Sequence, residues 1–128
     1  MSEKNYVVKI TECSRELTAR EKIYMKDTTN AIKLDEVVVD EKPFNIKPVD
    51  YAILNVHNEK AQGDKDYEQY IILADDGSKY YTGSQSFWNA FYDIWSEMHD
   101  SGEEYTIDIY KLDSKNYKGK KFLTCSIA

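Results

Sequence analysis

Residues 67–98, YEQYIILADDGSKYYTGSQSFWNAFYDIWSEM, decide how this chain folds. They read as a strand, a tight turn, a second strand and an aromatic-rich amphipathic helix. Asp76-Gly77 sits at the centre of the turn Asp75-Asp76-Gly77-Ser78. Asp tolerates left-handed dihedrals and Gly adopts them freely, so the pair suits a type I′ hairpin. Pairing across it sets Ile72 beside Tyr81 and Leu73 beside Tyr80. One face then holds Tyr70, Ile72, Ala74, Lys79 and Tyr81, and the other Ile71, Leu73, Tyr80 and Thr82. Both faces are apolar enough for a core, and the first, which carries Lys79 and also Glu68, is the better candidate for the outer one. In the helix, expected from about Ser86 to His99, Phe87, Phe91, Ile94 and Met98 fall at core-facing spacing, and Trp88 and Trp95 widen the stripe. Ser84 or Ser86 suits its cap and Gly102 its stop.

Working outward, Val49 to His57 alternates Ala52, Leu54 and Val56 on one face with Tyr51, Ile53 and Asn55 on the other. Residues 58–66 form a polar loop. After the helix, Tyr105, Ile107 and Ile109 alternate with Thr106, Asp108 and Tyr110, a half-buried strand. A lysine-rich loop at 112–121 leads to a last strand, Phe122 to Ile127. The first 48 residues are less regular. Tyr6–Ile10 is a short strand, and Thr18-Ala19-Arg20-Glu21 is a capping box opening a helix to about Lys26, with Ile23 as its apolar contact. Arg20, Glu21 and Lys22 would face water. Residues 31–34 suit a helical turn or a loop, and Val37-Val38-Val39 suits a strand. Pro43 and Pro48 bracket an extended connection.

At 128 residues the chain is expected to form a single domain, with 1–48 as an N-terminal extension and 49–128 as the core. From Val49 the order is three strands, a helix and two strands. That is the order of a five-stranded OB-like barrel, whose helix lies between strands three and four. The expected fold is therefore mainly β with one or two helices, and an open antiparallel sheet covered by the helix is the competing arrangement.

Formal net charge is −6, which argues against coating duplex DNA by bulk charge but leaves room for a local basic surface. No apolar run reaches the roughly 18 residues of a membrane span. MSEKNYVVKI lacks a signal-peptide core, so the cytoplasm is the expected location. Cys13 and Cys125 stand apart from any metal-ligand spacing and read as free packing thiols. His57 and His99 are equally isolated. With no Gly-rich phosphate loop and no nucleophile–base pair, neither a catalytic residue, a metal nor a cofactor is expected.

The sharpest functional signal is the segment from Lys111 to Lys121. It holds five lysines against Asp113, a local +4 in a chain whose remainder sums to −10. Lys115, Lys118, Lys120 and Lys121 around Tyr117 suit single-strand binding: ammonium groups attract phosphates while the ring offers a stacking surface. A solvated hairpin whose lysines keep the edge soluble is the plainer reading. Tyr70, Lys79, Tyr80 and Tyr81 are the candidate stacking platform on the first hairpin. A non-enzymatic protein-binding module, an inhibitor or adaptor mimicking nucleic acid with its acidic surface, is the alternative.

RELTAREKIYMKDTTNAIKLDE, DDGSKYYTGSQSFWNAFYDIW and SKNYKGKKFLTCSI resemble the small single-stranded DNA-binding proteins of phages and mobile elements of Gram-positive bacteria. The resemblance implies an OB-fold that coats single-stranded DNA in replication or recombination, forms a homo-oligomer and works beside other replication or recombination proteins. By position it places DNA contacts on Lys115, Tyr117, Lys118, Lys120, Lys121 and the hairpin face. Bacterial members commonly end in an acidic recruiting tail. Here Leu123 to Ala128 closes a strand instead, so recruitment through such a tail is not expected.

Overall fold

A computed structural model describes residues 6–38, 42–58, 66–113 and 121–128. In chain order the elements are β1 (Tyr6–Cys13), α1 (Ala19–Lys26), β2 (Ile32–Lys33), α2 (Leu34–Val37), β3 (Phe44–Ile46) and β4 (Pro48–Asn58). They continue with β5 (Asp66–Ala74), β6 (Lys79–Thr82), α3 (Gln85–Met98), β7 (Ile107–Asp113) and β8 (Lys121–Ile127). Mainly β architecture is therefore established, in two sheets. One has five strands in the order β1-β4-β5-β6-β2, and the other three in the order β3-β7-β8.

The central hairpin forms, but on a different turn. Ala74 accepts from Gly77 N at 3.1 Å and donates to Ser78 O at 2.9 Å, so three residues, not two, make the loop. Gly77 takes φ +88°, and no other residue type has positive φ among the described residues. A type I′ turn needs positive φ at Asp76 as well. The chain instead uses a type I turn closed by a left-handed glycine, and Asp76 Oδ1 accepts from Ser78 N at 2.9 Å. The register moves by one: Ile72 pairs with Tyr80 and Leu73 with Lys79. Because side chains alternate across a strand, this slip moves all of β6 to the opposite face. Tyr70, Ile72, Ala74, Tyr80 and Thr82 now share one face, and Ile71, Leu73, Lys79 and Tyr81 the other.

Both faces of the five-stranded sheet are covered. On the first, Tyr51, Tyr70, Ile72 and Tyr80 pack with Phe87, Trp88 and Phe91 of α3 and with Ile107, Ile109 and Leu123 of the smaller sheet. Phe87 and Phe91 lose all solvent contact, which stabilises by about 1.5–3 kcal/mol for each ring. On the second, Ala52, Leu54, Val56 and Ile71 lie beneath Leu17 and Met25. The alternation expected of 49–57 is observed.

The α1 capping box is present, with Glu21 N donating to Thr18 Oγ1 at 3.2 Å and Thr18 N to Glu21 Oε1 at 3.0 Å. Its inward residue is Met25, 1% exposed, and not Ile23, which is 67% exposed. Ile23, Tyr24 and Met25 are consecutive and about 100° apart on the helix, so only one can point inward. Glu21 does not simply face water, since it pairs with Arg15, which also reaches Asp50 at 3.2 Å. Val37 is likewise helical rather than extended. Leu34 and Val38, four apart and both buried, reach the core as one turn closed by Val38 N to Leu34 O at 3.0 Å. Val39 lies outside the described residues.

The strands do not close into a barrel. The chain crosses from one sheet to the other at Lys47: β3 pairs with β7 just before it and β4 with β5 just after. Closure would also require β6 to meet β8. The N-terminal extension intervenes instead, with β2 on the free edge of β6 and β1 on that of β4. On β8 the Leu123 carbonyl accepts from the Ser86 hydroxyl at 2.7 Å, and Ser84 Oγ lies at 3.4 Å from it. That carbonyl of the β8 edge is thus engaged by α3 rather than by β6.

Candidate nucleic-acid interface

Two hairpins carry tyrosine and lysine, and the fold treats them differently. On β5–β6, Tyr70 is 2% exposed, stacks on Trp88 at 4.8 Å and 3°, and donates its hydroxyl to Gln85 Oε1 at 3.0 Å. Tyr80 is buried and meets Phe44 edge-on at 5.6 Å. Tyr81 is half-buried on the opposite face, against the second core. None of the three offers a stacking face like that of an open platform.

Lys79 is spent on the fold. It is 5% exposed, lies over the Tyr24 ring at 3.8 Å, and donates to Tyr24 O at 2.6 Å and to Asp27 O. These carbonyls belong to the C-terminal end of α1, where a helix leaves acceptors unpaired and its dipole favours a cation. Burial pushes the ammonium pKa down, partly opposed by Asp27. The one-residue register slip is what turns Lys79 toward α1.

The β7–β8 hairpin has one covered face and one open face. Ile107, Ile109, Leu123 and Cys125 point to the core. Cross-strand pairs share a face, so the register Tyr110↔Thr124 and Leu112↔Phe122 puts these four on the other side with Asp108 and Ser126. Leu112 is 45% exposed and Phe122 38%. At the far end of this face Asn45 donates to Asp108 Oδ1 at 2.9 Å and to Thr106 Oγ1 at 3.0 Å. Tyr110 is hydrogen-bonded through its hydroxyl to Ser126, which fixes the ring. The open apolar end, Tyr110, Leu112 and Phe122, lies where the hairpin enters the lysine-rich segment.

Lys121 is exposed there and pairs with Asp113 at 3.3 Å. Lys111 belongs to the core side and donates to Asp35 O at 2.8 Å. Lys115, Tyr117, Lys118 and Lys120 lie outside the described residues. Of the nine residues expected to contact DNA, the structure turns Tyr70, Lys79 and Tyr80 inward, leaves Tyr81 half-buried, and exposes Lys121 at the end of β8, with the parity of Leu123 rather than that of Phe122. Tyr110 and Phe122 were not among them, although the alternation Leu123, Cys125, Ile127 against Thr124, Ser126 already assigns Phe122 to the outer side.

No protein-family model, curated protein or solved structure matches this chain. The site therefore rests on its own chemistry.

Elsewhere, His57 Nδ1 lies 2.8 Å from Asp66 Oδ1, and His99 Nδ1 lies 2.8 Å from Trp95 O. Among the described residues no three His, Cys, Asp or Glu side chains form a group that could hold a metal ion. Cys13 and Cys125 are free thiols, and burial pushes Cys125 up to about 12. No helix among the described residues is long and apolar enough to cross a membrane.

Proposed function

We propose that this chain binds single-stranded DNA, without catalysis, on the outward face of β7–β8. The observation that carries the reading is the exposed pair Leu112 and Phe122 on the same face as half-buried Tyr110, continuous in sequence with the lysine-rich segment 114–120 and with Lys121. Rings held on a strand supply stacking surfaces that any base can use, and the lysines supply phosphate contacts. Binding of this kind tolerates sequence variation. It suits replication or recombination of a phage or mobile element in the cytoplasm, with self-association along the strand.

An OB-like layout accompanies the proposal. The order β4-β5-β6-α3-β7-β8 and the strand crossing at Lys47 support it, with the N-terminal extension holding the barrel open. The face on β5–β6 that such folds commonly offer is covered here by Leu17 and Met25, and binding moves to the second hairpin.

Oligo-dT titration at two salt concentrations tests the reading. Wild type should bind, more weakly at high salt, and quench tyrosine and tryptophan emission. Tyr110→Ala with Phe122→Ala should cost about 1–3 kcal/mol for each stacked base lost. Equal affinity in wild type and the double variant would remove the platform from the reading, and no binding at low salt would remove the function.

A further inference from the structure

A second surface lies at the opposite end of β7, about 20 Å along the strand from the lysine-rich segment. There the C-terminal end of α3, the start of β4 and the approach to β7 enclose a shallow groove of about 330 Å³ lined by Pro48, Val49, Trp95, Met98, His99 and Tyr105. Its size is at the lower end for ligand sites and its floor is apolar.

The groove has a rigid wall. Trp95 meets Tyr51 edge-on at 5.4 Å and lies parallel to His99 at 5.9 Å and 6°, so packing fixes the indole before anything binds. Val49 is 43% exposed on the facing side. Tyr105 holds its hydroxyl out of water without a hydrogen-bond partner among the described residues. A buried phenol without an acceptor costs free energy.

The rim is acidic. Residues 97–104 include Glu97, Asp100, Glu103 and Glu104 and no lysine or arginine. Asp100 and Glu104 remain 88% and 89% exposed even though they pair with His99 at 3.1 Å and Lys47 at 3.4 Å. Most of that negative charge is directed at solvent, which repels phosphates and attracts cations.

We propose that this groove docks a basic peptide segment of another protein, one large apolar side chain seated against Trp95 and flanking lysines or arginines facing Asp100, Glu103 and Glu104. The apolar side chain is the anchor and the charges set orientation and partner choice. Because the groove and the β7–β8 face lie at opposite ends of one strand, a bound partner and bound DNA do not compete.

Fluorescence anisotropy tests this with three labelled peptides. One has a central leucine–phenylalanine pair flanked by lysines, the second has glutamates for the lysines, and the third has alanines for the central pair. The first should bind and shift tryptophan emission, and the other two should bind at least about tenfold more weakly. Glu103→Lys with Glu104→Lys should weaken the first by at least about tenfold, and so should Val49→Lys, which places a cation in the groove. All three positions are exposed, so these changes leave the core intact. The inference is overturned if the lysine peptide fails to bind at about 1 mM in low salt, a concentration that detects even weak complexes. Equal binding of the glutamate peptide, or indifference to both variants, would overturn it as well.

Discussion

The β5–β6 and β7–β8 hairpins are made of the same materials: tyrosines, branched aliphatics and lysines on paired antiparallel strands. In the first, a helix and the smaller sheet cover one face, and Leu17 and Met25 cover the other. Its rings become core and its lysine becomes a helix cap. In the second, α3 and the larger sheet cover one face, and Tyr110, Leu112 and Phe122 remain on the other. Composition alone does not distinguish a binding hairpin from a structural one. The number of neighbouring elements that must be satisfied does.

Substituting equivalent residues in the two hairpins sharpens the contrast. Tyr70→Ala removes a buried ring stacked on Trp88 and the hydroxyl that reaches Gln85. It should destabilise by about 3–5 kcal/mol, as large aromatic deletions in cores do. Tyr110→Ala, on the open face, should stay within about 1 kcal/mol. Urea unfolding of the two variants reads this directly, and similar losses would erase the distinction between the hairpins.

Lys79→Met is the next test. Burial in a largely apolar site would normally welcome methionine, but the substitution strips donors from the carbonyls of Tyr24 and Asp27. Hydrogen bonds from a charged donor are worth about 1.5–3 kcal/mol, and that is the expected loss of stability. Oligo-dT affinity, measured where the variant is folded, should not change. A variant of normal stability that binds DNA more weakly would return Lys79 to the binding surface.

Alkaline pH separates the covered and open faces of β8. Burial raises the Cys125 thiol from its ordinary 9.0 to about 12. The folded chain keeps this proton after the unfolded chain has lost it, so the contribution is complete below pH 9 and disappears as pH rises toward 12. Tyr51, Tyr70 and Tyr105 are also raised by burial and act in the same direction at somewhat higher pH. Lys79, lowered by burial, acts in the opposite direction, since its unfolded form holds the proton longer. For Cys125 alone the loss between pH 9 and 10.5 should be on the order of 2 kcal/mol. Cys125→Ala should flatten that part of the stability curve, whereas Thr124→Ala, on the other face, should leave its slope unchanged.

The local elements were largely legible from residue patterns: the Thr18–Glu21 cap, the alternation of Ala52, Leu54 and Val56, the Phe87, Phe91 and Ile94 part of the α3 stripe (Met98 lines the groove instead) and the final strand all come from short-range chemistry. The hairpin register was not. Residues 70–73 and 80–81 are apolar on both faces, so period-two patterning fits either pairing, and one extra loop residue at Asp75–Gly77 decides between them. The barrel was illegible for a related reason. Edge occupancy depends on where distant strands land, and β2 consists of only Ile32 and Lys33. At the candidate interface the lysine-rich segment stood out by charge, whereas the exposed face of Tyr110 and Phe122 was legible only as strand parity. Its significance required knowing how exposed Leu112 and Phe122 are.

The smallest expected effect discriminates most finely between the two lysines. Lys121 is exposed and already paired with Asp113 at 3.3 Å, an interaction that contributes at most about 1 kcal/mol to folding. Lys121→Ala should therefore leave the unfolding midpoint nearly unchanged. If the ammonium contacts a phosphate, the plot of log affinity against log salt for oligo-dT should flatten by up to about 0.7. The ion pair limits that change, because Asp113 competes with the phosphate for the same charge. Asp113→Asn removes the competitor and should strengthen binding at low salt while keeping the slope near that of wild type. A slope that is the same in wild type, Lys121→Ala and Asp113→Asn would mean that phosphates do not pass this end of β8, and the path of the DNA would have to be redrawn across Tyr110 alone.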